Sequence, residues 1–191
     1  MSLKKKSVLR DWVESIIIAF LLAMVIRTFV VQAFKIPTGS MRMTLQEGDL
    51  ILVNKFIYGV KVPFLNFYLP AAREPKRGDV MVFVYPEDNK KDFIKRLVGL
   101  PGETIEIKGG SIYINDKPAD DPIFKQVYYY NRGEFGAEGQ KIKVPKDSYF
   151  VLGDNSVSSK DSRYWGFVPK ENLLGQAMVI YWPIRRIRAI K

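Results

Sequence analysis

The chemistry open to this 191-residue chain is bounded by two zeros: it contains no His and no Cys. Disulfides, thiolate and imidazole metal sites, cysteine nucleophiles and every Ser-His arrangement are excluded together. Hydrolytic chemistry must therefore pair a Ser or Thr hydroxyl with Lys or a carboxylate. A serine hydroxyl is a weak nucleophile without an adjacent base, and with His absent a neutral lysine is the best base left. Lysine has a solution pKa of about 10.4, so it can act near neutrality only where apolar burial lowers that value. No cofactor and no metal site is expected.

Any such pair must be held by a framework, and the framework changes character along the chain. Ile16 to Ile26 (IIIAFLLAMVI) is an unbroken apolar run, extended past Arg27 and Thr28 by Phe29 to Val31. Counted from Trp12 to Val31 it is about 20 residues, or roughly 30 Å as a helix, enough for one membrane span. Lys4, Lys5, Lys6 and Arg10 precede it. By the positive-inside rule residues 1–33 are then a cytoplasmic N-terminus with a single transmembrane anchor, and 34–191 lie outside. A cleaved secretory signal is an alternative, because Val31-Gln32-Ala33 supplies a small-residue cleavage pattern; a buried core helix is another.

After Pro37 the pattern becomes short β-type runs between turn residues. Asp49 to Asn54, Asp79 to Tyr85, Phe93 to Val98, Ser148 to Leu152 and Ala177 to Trp182 read as strands. The clearest hairpin runs from Glu103 to Asn115 through Gly109-Gly110, which supply the positive φ that a tight turn needs. The fold class expected is mainly β, an antiparallel sheet domain preceded by one N-terminal helix. Residues 118–139, with three consecutive tyrosines, are expected to form a surface excursion. The net charge of +10 suits anionic lipid or nucleic acid, but no cluster has the context of a nucleic-acid module, and no nucleic-acid partner is expected.

Three segments resemble type I signal peptidase, the membrane-bound enzyme that removes signal sequences from exported proteins. They are Phe34 to Phe56 (FKIPTGSMRMTLQEGDLILVNKF), Arg77 to Glu103, and Gly153 to Pro169 (GDNSVSSKDSRYWGFVP). The similarity covers nearly the whole chain in the family's order. It implies a Ser-Lys endopeptidase that cleaves preproteins after Ala-x-Ala type sites at the outer face of the cell membrane. Its partners would be signal peptides, membrane lipid and, transiently, the translocation channel.

The resemblance implies Ser40 as nucleophile and Lys95 as general base. Ser159 would hydrogen-bond the lysine, and the Thr38 hydroxyl with the Ser40 amide would form the oxyanion hole. Asp161 and Arg163 match the family's bracing ion pair, and Gly153, Asp154 and Asn155 a tight turn. Phe34, Ile36, Pro37, Leu45, Ile51, Val82, Phe93 and Ile94 match the walls of pockets for small side chains. An extended substrate would add as a strand near Ile36 and Asp92. Each residue has an ordinary alternative: Ser40 and Ser159 as turn serines, Lys95 as a solvated lysine, the pocket residues as plain core. Alternation leaves Lys95 open too, since Phe93, Lys95 and Leu97 share one strand face and Ile94, Arg96 and Val98 the other. Met43 stands where the family usually has proline. A self-cleaving repressor and a non-enzymatic, membrane-anchored basic β domain that binds lipid or nucleic acid are the competing readings.

Overall fold

A computed structural model describes residues 8–29, 31–61 and 68–191; the side chains of 25–30, 60, 61, 68 and 69 are outside that description. Helix α1 (Val8–Phe29) leads into β1 (Val31–Lys35). The other strands of four or more residues are β2 (Leu50–Asn54), β3 (Val80–Val84), β4 (Asp92–Gly99), β5 (Thr104–Lys108), β6 (Ser111–Ile114), β7 (Ser148–Leu152) and β8 (Leu173–Trp182). All pairings are antiparallel. The larger sheet runs β1-β2-β8-β3-β4-β7, with Val168–Pro169 beyond β7 and Arg188–Ala189 added to β8. The hairpin β5–β6 centres a second sheet, and its turn residues Gly109 and Gly110 have φ of 57° and 78°. These strands follow the β-branched and aromatic runs of the sequence closely.

Strand β4 is central, and both of its faces are covered. On one side Leu97 packs with Met81, Phe83, Val151 and Val168; on the other Ile94 joins the cluster of Val80, Val82 and Ile51, and Val98 joins that of Ile105, Phe150 and Leu152. The choice between two faces for Lys95 therefore dissolves. Lys95 and Arg96 are both buried, at 3% and 1% exposure, on opposite sides of one strand.

Three expectations change. First, among the described residues no helix is long and apolar enough to cross a membrane. Helix α1 ends at Phe29, and Val31, placed at the end of the expected span, instead begins the sheet, paired with Asn54. A core helix is not found either: Ile16, Ile18, Phe20 and Leu22 are exposed. Second, the boundary expected between 33 and 34 falls inside β1, where Ala33 pairs with Leu52 and Phe34 with Ile51. Val31-Gln32-Ala33 would have to leave the sheet before a protease could take it as substrate. Third, 118–139 is not merely a surface excursion. Phe124 and Tyr129 are buried against the second sheet, and Asn131 donates to Ile107 O at 2.9 Å, so the segment closes that sheet's apolar face.

Candidate active site

Ser40 sits in a single 3₁₀ turn, Gly39–Met41, between β1 and β2. The turn is tied down from below. Met41 is fully buried, the Thr44 and Leu45 amides donate to its carbonyl at 2.8 and 2.6 Å, and the Asp154 amide points at its sulfur at 3.4 Å. Position 43 is exposed and outside this set of bonds, so the turn keeps its shape without proline there.

Lys95 reaches the turn from β4. Its Nζ lies 2.7 Å from Ser40 Oγ and donates to Ile94 O at 2.9 Å. Burial lowers the ammonium pKa to about 8, against the opposing charges of Asp161 and Asp154. The Phe93 ring, 5.4 Å from Nζ, supplies part of the apolar surround. Fixing one N–H on the Ile94 carbonyl leaves a neutral amine with its lone pair free for the serine proton. A buried hydroxyl beside an amine that is part neutral at physiological pH is a pair able to carry nucleophilic attack.

The third segment closes over this pair. The Asn155 amide donates to Ser40 O at 2.9 Å and its side chain to Gly39 O at 2.9 Å. Ser159 is buried beside them, yet its Oγ has no hydrogen-bond partner. The expected Lys95–Ser159 bond is therefore not made; the lysine spends its bonds on Ser40 and Ile94. Gly153 is required by space. A Cβ there would overlap Ser159 Oγ and stand 2.6 Å from Ser40 O. Gly153→Ala is expected to cut activity about 10²-fold through displacement of the serine turn, with stability lowered by ~1–3 kcal/mol. Kinetics and thermal melts on the purified variant check both.

Two buried ion pairs brace the loop. Arg163 binds Asp161 through Nε and Nη2, both at 2.8 Å, with neither side chain exposed, and the Asp161 carboxylate also accepts from the Gly153 amide at 3.0 Å and the Arg163 amide at 3.3 Å. The expected tight-turn role of Asp154 is enlarged. Arg96 holds its carboxylate at 2.8 and 2.7 Å, and Thr44 donates to it at 2.5 Å, linking β4, the serine turn and the third segment. Arg96 and Thr44 were invisible as site residues in the sequence, since nothing local says that an arginine beside Lys95 turns inward.

A cleft of about 370 Å³ opens at Ser40 and Lys95. Of the expected pocket residues, Pro37, Asp92, Phe93 and Ile94 line it, together with Thr38 and Gly39. Ile36, Leu45, Ile51 and Val82 are instead closed into the core at 3% exposure or less, with Phe34 packed against them. They support the cleft from behind. Ser158 and Lys160 form a wall that sequence reasoning did not include. Among the described residues no group of three His, Cys, Asp or Glu is placed to hold a metal ion.

A mainly β domain that buries a serine and a partly neutral lysine at hydrogen-bond distance is what a serine protease without histidine requires. Comparison with known proteins agrees: residues 9–182 match the family model described as signal peptidase, peptidase S26. A probable signal peptidase I-2 of Synechocystis is 40% identical over 185 residues, 92% of this chain and 76% of that one. Signal peptidase I P of Bacillus subtilis subsp. natto is 35% identical over 196 residues, covering 98% and 97%. A solved signal peptidase I from Enterococcus faecalis is 33% identical, with a TM-score of 0.46 over 55% of this chain and 97% of that one. The chain belongs to the signal peptidase family, peptidase S26, and is a serine protease. Membership displaces the non-enzymatic alternative.

Proposed function

We propose that this protein is a membrane-attached endopeptidase that removes signal peptides from exported preproteins, with Ser40 and Lys95 as its catalytic dyad. The observation that carries the reading is the 2.7 Å approach of a buried lysine amine to a buried serine hydroxyl at the floor of an open cleft. Neutral Lys95 takes the Ser40 proton as Oγ attacks the scissile carbonyl, and the resulting ammonium returns it to the departing amine. Water, deprotonated by the same amine, then hydrolyses the acyl-enzyme ester. The Ser40 amide and the Thr38 hydroxyl are the donors for the oxyanion; Thr38 is exposed at the cleft edge with no capping bond of its own. Ser159, whose hydroxyl is unspent, is the reserve partner for the lysine once Ser40 is acylated.

The preprotein enters as an extended strand along Asp92 to Ile94, and the cleft's closed apolar backing admits only small side chains next to the cut. Attachment is through α1, whose exposed Ile16, Ile17, Phe20 and Leu21 need non-aqueous cover, with the basic start on the cytoplasmic side and the catalytic domain outside. The test is incubation of the detergent-solubilised chain with a preprotein carrying an Ala-x-Ala site, the cut located by mass spectrometry. Cleavage anywhere except directly after the second small residue would defeat the specificity.

The pH dependence follows from the base. Only neutral Lys95 is active, so activity rises with pH through about 8 and levels off above it. Below that point kcat/KM should fall about tenfold per pH unit. A flat profile from pH 6 to 9, measured as kcat/KM on a peptide without titrating groups, would remove Lys95 from the role.

A further inference from the structure

One charged side chain on the cleft has no part in the chemistry above. Lys160 lies directly after Ser159, on the wall formed with Ser158. Its ammonium is held on an aromatic shelf, 5.3 Å from the centre of the Tyr85 ring, and Tyr85 stacks on Phe93 with centroids 4.3 Å apart and planes within 5°. Phe93 is the ring beside Lys95. Lys160 therefore stands at a defined height over the cleft mouth, one stacked ring pair away from the catalytic amine. Its ion-pair partner among the described residues is Glu87, 3.4 Å away, and the two side chains are 59% and 56% exposed. Such a pair is weak and solvated, and leaves donors of the ammonium available to a second acceptor.

We infer that Lys160 is a specificity-determining residue that selects preproteins carrying an acidic side chain beside the scissile bond. The inference rests on the protease reading. An extended peptide in the cleft would exclude water from the Ser158–Lys160 wall, and a carboxylate there would meet an ammonium already positioned on rings, with little side-chain entropy left to lose. A lysine or arginine at the same substrate position would face like charge. Glu87 competes with the substrate for the ammonium and so tempers the preference.

The experiment uses the full chain in detergent and a set of peptides with one Ala-x-Ala site. Glu, Gln or Lys is placed singly at the residue between the two small ones and at each of the first two residues after the cut. At one of these positions Glu is expected to exceed Gln in kcat/KM by roughly three- to fivefold, a ratio that shrinks at high salt. Lys160→Gln should erase the ratio, Lys160→Glu should invert it toward Lys, and Glu87→Gln should enlarge it. Equal Glu and Gln rates at all three positions, or a ratio that survives in Lys160→Gln, would overturn the inference. Binding of the same peptides to the Ser40→Ala chain, read as Kd, carries the same ratios without turnover. Absence of cleavage by the parent chain thus counts against the protease reading, while the Glu-to-Gln ratio in Kd still decides on Lys160.

Discussion

Ser40→Ala and Lys95→Ala are each expected to lower kcat/KM on the order of 10⁴-fold or more, and the double variant to lose no more than either alone. In the proposed dyad the two side chains would act as one unit: the hydroxyl would be inert without the amine 2.7 Å away, and the amine would have nothing to activate without the hydroxyl. Neither change should unfold the protein. Ser40→Ala removes one small buried oxygen, and Lys95→Ala removes a buried cation whose desolvation already opposes folding. Lys95→Met keeps the apolar stem and is the better control for packing. The measurement is single-turnover cleavage of a preprotein alongside circular dichroism. A folded variant of either residue with parental turnover would end the dyad assignment.

Arg163→Ala should have the largest effect on stability, about 3–5 kcal/mol. Asp161 and Arg163 are both fully buried, so deleting the guanidinium leaves a carboxylate without its ion-pair partner and with one remaining amide donor outside its own turn, Gly153 N. Arg163 also donates to Tyr130 O and to both the hydroxyl and carbonyl of Ser156, which joins the second sheet to the loop bearing Ser159. For a protein of this size the loss corresponds to a fall in Tm of roughly 6–20 °C. Asp161→Asn with Arg163→Met removes both charges and should recover part of it, since a buried pair contributes less than the penalty for breaking it. Thermal melts of the three variants check the ordering. An Arg163→Ala protein as stable as its parent would show that water reaches Asp161.

How much of this was legible beforehand can be argued from single residues. The strands at Leu50–Asn54, Val80–Val84 and Ser148–Leu152 were plain in the sequence, because β-branched and aromatic runs between turn residues have few other ways to fold. The turn at Gly109-Gly110 was plain for the same local reason. The absence of His and Cys settled which chemistry was available, since composition alone bounds the list of nucleophiles and bases. Resemblance to the family then picked Ser40 and Lys95 from many serines and lysines.

Tertiary structure decided what depends on contacts between distant segments. Alternation could not say which face of β4 is inside, because a strand covered on both sides gives no alternation to read. The lowered pKa of Lys95 depends on burial among apolar groups brought from β3 and β7, which outweighs the opposing pull of the Asp161 and Asp154 carboxylates. Arg96, Thr44 and Asp154 meet only because three segments converge. The length of the N-terminal helix was likewise a tertiary matter: apolar residues suit a helix or a buried strand equally, and pairing with β2 drew Val31 to Lys35 into the sheet. Residue types thus narrowed the base for a serine or threonine to lysine or a carboxylate, and packing made Lys95 eligible, by removing water from its ammonium and holding Ser40 against it.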